Sequence, residues 1–339
     1  MTRLQPAASD AQLDALSQKR KGMLWFLLAN IALVVAAILL FGKWDQFVAA
    51  LSQASFAEIV VVLSLALVNY AIRSVRFWHL NRSIGVLISL KDATLFYVAG
   101  FSFSVTPGKI GELVRVWLIR QKYGYPIRHL APPIIVDRIW DLIGTLVLCV
   151  MTVAIFANHL QYLLLAAAVI GFGVFVLLNQ RLSFWFVSIG ARMLPKRLKL
   201  FAAIRRMLRL SARLLAPGPS AINLALTLLA WLAESYAFYY CVLALGGSIS
   251  FAQGIFIFLF ANLLGALTFL PGGIGGTELI MVTLLVALNV PVETAVAVTL
   301  LIRGSTLWFG VLLGLVVSMA LSGTASRPAA GTTTGSTTP

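Results

Sequence analysis

The sequence predicts an all-α, polytopic membrane protein: a helical bundle of about six full spans plus two re-entrant helical hairpins in an inverted-topology repeat. The composition predicts the class, because 60% of the 339 residues are hydrophobic and only 11% are charged. Several apolar runs also approach the roughly 20 residues that a helix needs to cross a bilayer. Two Pro-Gly breaks within long apolar stretches predict the hairpins.

The chain is strongly basic, with a formal net charge of +15. Its Lys and Arg residues cluster beside apolar runs, which is typical of cytoplasmic loops rather than of a nucleic-acid surface. We therefore expect membrane lipids, and no nucleic acid, as partners. Cys149 and Cys241 lie inside apolar runs without a CxxC spacing, so neither a disulfide framework nor a metal site is predicted, and no cofactor is expected.

The chain begins with a polar segment, residues 1–22, that ends in a cluster of Lys and Arg. We interpret it as cytoplasmic and place the transmembrane domain at residues 23–321. The first apolar run, 23–41, is too long for a signal peptide and lacks a cleavage site, so an uncleaved span is predicted. The next run covers about 56–78. Four cations close it and are expected to return the chain to the cytoplasm: Arg73, Arg76, Arg82 and Lys91.

The first Pro-Gly break, Thr106 to Glu112, follows an apolar stretch, 93–105, that is only about half as long as a span. The segment from Lys109 to Lys122 covers roughly 20 Å of a hydrocarbon core about 30 Å thick. Basic residues flank both ends of this pair of segments. The economical interpretation is a hairpin of two half-helices that enters and leaves by the cytoplasmic face.

Two further spans are predicted at about 132–156 and 160–178. Residues 181–215 then form a basic connector, in which nine Lys or Arg and no acidic residue lie between Arg181 and Arg213. We expect this connector to be cytoplasmic, with amphipathic helix on the membrane surface. Its charge favours control of topology, and recruitment of anionic lipid is the alternative.

The second half repeats this order. A span at about 217–245 precedes a second hairpin, which is divided by the break Pro271–Glu278. The last span follows Pro291. Residues 322–339 are rich in Thr, Gly, Ser and Ala, so a disordered tail is predicted.

Four features of the two halves fall in register. The pairs are Pro107 and Pro271, Glu112 and Glu278, Pro126 and Pro291, and Arg138 and Arg303. The distance from the second proline of the series, Pro126 or Pro291, to the arginine is twelve residues in both halves, so chance is the less favoured explanation. We place repeat one at about 56–156 and repeat two at about 217–320.

The distribution of charge predicts that the repeats have inverted topology. Repeat one starts outside and repeat two starts inside, so the hairpins enter from opposite faces and both chain termini are cytoplasmic in a bacterial inner membrane. Broken helices at matching positions of inverted halves point to a transporter's binding site near the midplane.

Several charged residues fall within apolar segments, where each unpaired charge costs at least about 2.5–3.5 kcal/mol on insertion scales. We expect them to face the protein interior and to pair. Asp141 lies three residues after Arg138, and Glu112 three before Arg115, so each pair shares a helix face. For Asp137, a structural ion pair and a functional role are equally favoured.

Half-helices that start at the breaks point unpaired N–H groups and a positive dipole end toward the midplane. Two such ends, Gly108–Gly111 and Gly272–Gly276, would form a phosphate cradle with Arg138, Arg303 and Lys109. The glutamate of each break would hold an arginine when the site is empty, or carry a coupling proton.

These motifs resemble those of the transmembrane family named for lysylphosphatidylglycerol synthase, flippase-like proteins that include the membrane half of the multiple peptide resistance factor. The resemblance covers about residues 20–320 and rests on these stretches: Pro107–Arg115, Asp137–Asp141, Pro271–Glu278 and Arg303. It implies movement of a phospholipid or polyprenyl-linked lipid between leaflets, with the matched Arg and Glu residues at the headgroup site. An aminoacyl-transfer domain is not found in this sequence, so synthesis of lysylphosphatidylglycerol is not expected.

The residues and the resemblance together predict one substrate-binding site. Its members are Lys109, Glu112, Arg115, Asp137, Arg138, Asp141, Gly272, Gly273, Gly275, Gly276, Glu278 and Arg303. We expect a lipid translocase that is not an enzyme, acts on an anionic or phosphate-bearing lipid, and has a cell-envelope lipid-modifying enzyme as a candidate partner. The alternatives are a secondary transporter of a small anion and a non-transporting partner of a cell-envelope lipid glycosyltransferase.

Overall fold

The structure, a computed structural model, describes residues 54–104, 111–152, 217–267 and 270–324, together with residues 52 and 214. Across these ranges the regular elements are helical, and no strand occurs. Among the described helices, three are long and apolar enough to cross a membrane: Phe56–Ser83, Ser220–Ala244 and Val292–Leu321. The described chain is therefore that of an all-helical membrane protein.

The first half of the described chain forms four helices in the order long, short, short, long. They are α1 (Phe56–Ser83), α2 (Leu90–Ala99), α3 (Gly111–Tyr123) and α4 (Ile127–Thr152), with a 3-10 turn, Gly100–Phe103, after α2. With 10 and 13 residues, α2 and α3 extend about 15 and 20 Å, which is shorter than a bilayer core.

The second half has the same order. Its helices are α5 (Pro217–Ala244), α6 (Phe251–Leu267), α7 (Gly276–Ala287), α8 (Val292–Arg303) and α9 (Phe309–Thr324). A 3-10 turn, Pro271–Gly273, lies between α6 and α7, and a π turn, Gly304–Trp308, joins α8 to α9. Because the π turn keeps the helix continuous, α8 and α9 together form one candidate span.

The turns between helices occupy matching places in the two halves. α1 and α5 each end in a left-handed glycine, Gly85 with φ 84° and Gly246 with φ 76°. The next amides, of Val86 and Gly247, donate to the carbonyls five residues back. This is the hydrogen bond of a Schellman motif, which favours glycine at the left-handed position.

The starts of the following helices also match. Ser89 caps α2 by accepting from the Asp92 amide at 3.1 Å, and Ser250 caps α6 by accepting from the Gln253 amide at 3.2 Å. Each serine lies four residues after the left-handed glycine. The short helices of the two halves thus begin in the same way.

α4 begins at Ile127, five residues before the predicted start near Pro132. That boundary was wrong because Pro132 and Pro133 lie inside the helix. They are the sixth and seventh residues of α4, so the helix lacks the two hydrogen bonds that their amides would make. The helix instead begins directly after Pro126, whose carbonyl accepts from the His129 amide at 2.9 Å.

The helices pack in a pattern that is unchanged when the two halves are exchanged. α1 and α5 pack against each other, and the first short helix of each half, α2 or α6, packs on the last helix of the other half, α9 or α4. Within the halves, α1 contacts α4 as α5 contacts α8, and α2 contacts α3 as α6 contacts α7. The pattern is that of a pseudo-two-fold axis between α1 and α5.

Two main apolar clusters form the core of the described chain, each centred on one half. The cluster centred on the second half includes Phe238, Leu259, Met281 and Val298. The cluster centred on the first half includes Phe77, Phe96, Val116 and Leu130. Burial of these side chains holds the short helices against the long ones.

Several predictions lie outside the described residues. They concern the segment 1–22, the spans at 23–41 and 160–178, the basic connector apart from Leu214, the tip of the first break with Lys109, and the tail beyond Thr324.

Candidate functional site

A cavity of about 580 Å³ lies between the two halves. Every helix of the described chain contributes to its lining. The charged lining residues are Arg73, Arg115, Arg138, Asp141, Glu234 and Arg303. Five of the other lining residues are aromatic: Tyr70, Tyr97, Phe101, Trp231 and Phe258.

The lining residues occur at equivalent positions of the two halves. Four pairs are separated by 161 residues, the distance between the left-handed glycines: Tyr70 and Trp231, Arg73 and Glu234, Tyr97 and Phe258, and Phe101 and Asn262. Three more are separated by 165 residues, the distance between the prolines before α4 and α8: Arg138 and Arg303, Leu142 and Leu307, and Thr145 and Gly310. The two halves therefore build one shared cavity.

α1 and α5 meet at this cavity through equivalent residues. The Asn69 side-chain amide donates to the Ala230 carbonyl at 2.7 Å, and Arg73 Nη2 lies 3.9 Å from Glu234 Oε2. Asn69 and Ala230 both lie sixteen residues before the left-handed glycine of their half, and Arg73 and Glu234 both lie twelve before it. Because residues touch their own equivalents only close to a two-fold axis, the pseudo-two-fold axis passes through the cavity.

Arg76 is fully buried and joins three helices. Its Nε donates to Asp137 Oδ1 at 2.9 Å, its Nη2 to Asp141 Oδ1 at 2.8 Å, and its Nη1 to Thr227 Oγ1 at 2.7 Å. A buried charge is tolerated when it is paired and hydrogen-bonded in this way. The network fixes α1 against α4 and α5 behind the cavity.

Asp141 binds three arginines, of which two line the cavity. Arg73 Nη1 donates to its Oδ1 at 2.7 Å, and Arg138 Nη1 donates to its Oδ2 at 3.0 Å. Arg73 is positioned further by Asn69, whose Oδ1 accepts from Nε at 3.0 Å, and by the Trp231 ring, whose centroid is 4.5 Å from the guanidinium carbon. The Arg73 plane is therefore held from both α1 and α5.

Arg303 is bound to the second break. Its Nε donates to Glu278 Oε1 at 2.6 Å, and its Nη2 donates to the Gly272 carbonyl at 2.7 Å. Glu278 Oε2 also accepts from the Gly275 amide at 2.7 Å. One carboxylate thus caps the N-terminus of α7 and holds the arginine of α8.

The glycines of this break present fewer free amides than the predicted cradle requires. The Gly273 amide donates to the Leu270 carbonyl at 2.9 Å, and the Gly275 amide is taken by the capping glutamate. Gly272 and Gly273 line the cavity, whereas Gly275 and Gly276 do not. The break contributes a carbonyl acceptor and close packing, and the cations nearby come from side chains.

Arg115 reaches the cavity from α3 and is 3% exposed. Its guanidinium carbon lies 3.7 Å from the centroid of the Tyr97 ring. Its Nη1 is 3.9 Å from Asp137 Oδ2, which is beyond hydrogen-bonding distance.

The predicted site residues divide into four groups. Arg115, Arg138, Asp141, Gly272, Gly273 and Arg303 line the cavity, and Asp137 and Glu278 are partners of arginines. Gly275 and Gly276 form the start of α7. Lys109 lies outside the described residues, and Glu112 is described only through the backbone of α3.

Arg73 and Arg76 were expected to close a span at the cytoplasmic face, and the structure contradicts this. Both are buried, 7% and 0% exposed, and both bind aspartates of α4. The signal in the sequence was the spacing of Asn69, Arg73 and Arg76, which places all three on one face of an otherwise apolar helix. Glu234, which also lines the cavity, is not among the predicted site residues.

This arrangement suits the binding of an anion. Guanidinium groups held in fixed planes by carboxylates and rings can donate two parallel N–H groups to a phosphate or carboxylate. In a cavity with aromatic walls such contacts are less screened than in water.

Comparison with known proteins places the chain among membrane proteins. A UPF0104 membrane protein of Methanocaldococcus jannaschii is 26% identical over 220 residues, which are 64% of this chain and 92% of that protein. A UPF0104 membrane protein of Methanothermobacter thermautotrophicus is 40% identical over 98 residues, 29% of either chain. A phosphatidylglycerol lysyltransferase of Staphylococcus aureus is 32% identical over 97 residues, 29% of this chain and 12% of that protein.

The matched part is therefore less than a third of the archaeal protein with 40% identity and of the lysyltransferase. The family model described as the lysylphosphatidylglycerol synthase TM region matches residues 27–314. That match includes both breaks and all residues that line the cavity, and it confirms the resemblance carried by the motifs. The chain belongs to the lysylphosphatidylglycerol synthase TM region family.

Proposed function

We propose that this protein is a lipid translocase that moves an anionic phospholipid or polyprenyl-linked lipid between the leaflets of the bacterial inner membrane. The observation that carries the proposal is the arginine-lined cavity on the pseudo-two-fold axis. Arginines inside a membrane protein are expensive to bury and mark substrate pathways. Here they surround a space large enough for a lipid headgroup.

The chemistry of the wall supports a lipid rather than a wholly polar substrate. Arg73, Arg138 and Arg303 provide positive charge, and aliphatic and aromatic side chains provide much of the remaining wall. The cavity extends to the surface of the bundle, because the lining residue Leu270 is 49% exposed and the Arg138 side chain is 33% exposed. A headgroup would enter sideways at this point, while its acyl or prenyl tails stay in the surrounding bilayer.

The proposed topology has six full spans and two re-entrant hairpins. α1, α4, α5 and the joined α8 and α9 are four of the spans, and the hairpins are α2 with α3 and α6 with α7. The exchange symmetry of the helix contacts supports a pseudo-two-fold axis, and we place this axis in the membrane plane. One hairpin then enters from the cytoplasm and the other from outside, and both chain termini are cytoplasmic.

We propose an exchange of ion pairs as the mechanism. In the empty cavity Glu278 holds Arg303, and Asp141 holds Arg138. An incoming phosphate competes with these carboxylates for the arginines. Because Glu278 also caps α7, release of Arg303 would loosen α7 from α8 and allow the second hairpin to move.

The relatives support a phospholipid as one substrate class, because one of them is named for phosphatidylglycerol. Its transferase activity is not part of the proposal, since the chain matches only 12% of that protein. We propose a non-enzymatic role beside a cell-envelope enzyme that modifies lipids.

Purified protein reconstituted in liposomes tests the proposal. A labelled anionic lipid should move between leaflets, and Arg303→Ala or Arg138→Ala should abolish the movement. Lys91→Ala is the matched control, because Lys91 is an exposed cation at the start of α2, and it should transport normally. Unchanged transport in both arginine variants would refute the site assignment.

The same liposomes separate the alternatives. Uptake of a water-soluble anion such as phosphate, without movement of lipid, would favour a transporter of small anions. Association with a lipid glycosyltransferase, with neither lipid movement nor uptake, would favour a non-transporting partner.

A further inference from the structure

Arg115 is held in the cavity in a different way from its neighbours. Arg73 and Arg303 each donate to a carboxylate, at 2.7 and 2.6 Å. Arg115 Nε and Nη1 are buried and have no hydrogen-bond partner in the described part of the chain. The Asp137 carboxylate faces Arg115 only at 3.9 Å, so it offers attraction without a hydrogen bond.

Three aromatic rings take the place of hydrogen bonds. The Arg115 guanidinium carbon lies 3.7 Å from the ring centroid of Tyr97, 5.7 Å from that of Phe77 and 5.8 Å from that of Phe101. Contacts with ring faces stabilise a guanidinium and fix its plane without using its N–H groups. Arg115 is therefore positioned, and its donors remain available.

Available donors on a buried cation are unusual. Burial of a charged N–H without an acceptor is unfavourable, and nearly all such groups in folded proteins have a partner. Arg115 is 3% exposed and lines the cavity. The acceptor that would complete its hydrogen bonds is therefore one that enters the cavity.

We propose that Arg115 is the residue that binds the phosphate of the substrate, with two N–H groups of its caged guanidinium donating to two phosphate oxygens. This rests on the proposed function and sharpens it. Arg303 and Arg138 must first leave carboxylates, whereas Arg115 has no hydrogen bond to a carboxylate of the described residues that must be broken first. The ligand chemistry is a phosphate oxyanion, from a lipid headgroup or as free phosphate.

The competing explanation is that Arg115 and Asp137 form a structural ion pair that closes by a small movement. Asp137 Oδ2 also has no hydrogen-bond partner among the described residues, while its Oδ1 is bound to Arg76 at 2.7 Å. Under that explanation a phosphate ligand would bind equally well without Arg115.

Measurements of ligand binding to the purified protein in detergent decide between a phosphate-binding role and a structural ion pair of Arg115. The probes are dihexanoyl phosphatidylglycerol, inorganic phosphate, and dihexanoylglycerol, which lacks phosphate. Arg115→Gln should weaken phosphatidylglycerol binding about tenfold or more, since charged hydrogen bonds are lost. Arg115→Lys should also weaken it, because an ammonium lacks the planar fork. Binding of dihexanoylglycerol should not depend on residue 115.

Arg82→Lys is the matched control. Arg82 also lies over an aromatic ring, with its guanidinium carbon 5.3 Å from the Trp78 centroid, but it is exposed at the end of α1. Its replacement should leave binding unchanged. Loss of both phosphatidylglycerol and phosphate binding in Arg115→Gln assigns the site to the phosphate group itself, and loss of phosphatidylglycerol binding alone assigns it to a lipid headgroup. Unchanged phosphatidylglycerol affinity in both Arg115 variants overturns the assignment.

Wild-type protein provides a second measurement should the variants fail to fold. Phenylglyoxal modifies arginines, and phosphatidylglycerol should protect Arg115 while Arg82 reacts as before, as read by mass spectrometry. Equal modification of Arg115 with and without the lipid contradicts the proposal. If lipid binds at Arg115 but does not cross the bilayer, the proposed translocation is contradicted and the role of Arg115 in binding stands. If the Arg115 variants bind and translocate lipid normally, the role of Arg115 is contradicted and the proposed translocation stands.

Discussion

Arg73 and Glu234 occupy equivalent positions of the two halves, and their side chains approach to 3.9 Å across the pseudo-two-fold axis. One half thus places a cation where the other places an anion. Arg76 likewise corresponds to Ala237, 161 residues later. The backbone arrangement is repeated but the charges are not, so the two halves build a single binding site with different contributions from each.

The buried Arg76 network should be essential for stability. Arg76→Leu removes the arginine that is hydrogen-bonded to the buried Asp137 carboxylate and one of the three that bind Asp141. We therefore expect a loss of about 3–5 kcal/mol in the free energy of unfolding. Unfolding by SDS in mixed micelles measures it. Arg82→Leu, at an exposed position of the same helix, should change stability by less than about 0.5 kcal/mol. Equal losses in the two variants would contradict the network.

Glu278 should contribute to the stability of the protein through two separable contacts, with Arg303 and with the Gly275 amide. Glu278→Gln keeps an oxygen for the Gly275 amide but loses the charge that binds Arg303, so a loss of about 2 kcal/mol is expected. Glu278→Ala loses the cap as well, which should cost about 1 kcal/mol more. The free energy of unfolding is measured for both.

A double-mutant cycle with Arg303→Gln isolates the pair. We expect a coupling energy of about 1–3 kcal/mol between residues 278 and 303. A coupling near zero would show that Glu278 acts only as a cap.

The two helices of the second hairpin should tolerate no side chain at Gly265. A Cβ there would lie 1.9 Å from Thr277 Oγ1 and 3.1 Å from Thr277 Cα, so Gly265→Ala must push α6 away from α7. We expect a loss of about 1–3 kcal/mol in stability and reduced transport. Gly304→Ala is the control, because a Cβ at Gly304 meets no atom of the described residues within 4 Å. A similar loss there would contradict the packing argument.

The stability of the contacts that Asp92 makes at the base of the first hairpin should depend on pH. Burial raises the pKa of Asp92, but hydrogen bonds from Lys122, Tyr123 and Ser89 outweigh it and hold the pKa below its ordinary value. The ionised form is therefore favoured by folding. Its contribution is complete above the unfolded pKa of about 3.9 and is lost as the pH falls through the lower folded value.

Asp92→Asn should accordingly destabilise the protein by about 1–2 kcal/mol at pH 7. The difference from wild type should shrink below about pH 4. Thermal unfolding of both proteins in detergent, at pH 7 and pH 3, measures it. A difference of the same size at both pH values would mean that the Asp92 charge is not involved.

The order of the helices could be predicted because it depends on local signals. The apolar run after Pro217 and the turn at Gly246 delimit α5, and Pro291 delimits α8. Asp137, Arg138 and Asp141 were recognised as interior charges because they stand in an apolar run. These features need no knowledge of what packs against them.

The residues that pair with each buried charge could not be predicted, because these pairs depend on packing between helices far apart in the sequence. A cation near the end of an apolar run either reaches for the interface or pairs in the interior. For Arg76 the choice is made by Asp137, 61 residues away in sequence. The orientation of the Gly272 peptide could not be predicted either. The sequence predicts that this break presents N–H donors, but the turn, with φ 63° at Gly272, directs a carbonyl acceptor toward Arg303.

The most direct test of the central claim is the accessibility of a labelled phosphatidylglycerol in proteoliposomes to a quencher that cannot cross the bilayer. Wild-type protein should expose the label of both leaflets, and Arg303→Ala, like vesicles without protein, should expose only that of the outer leaflet. A wild-type signal that remains at the level of the outer leaflet would contradict translocation.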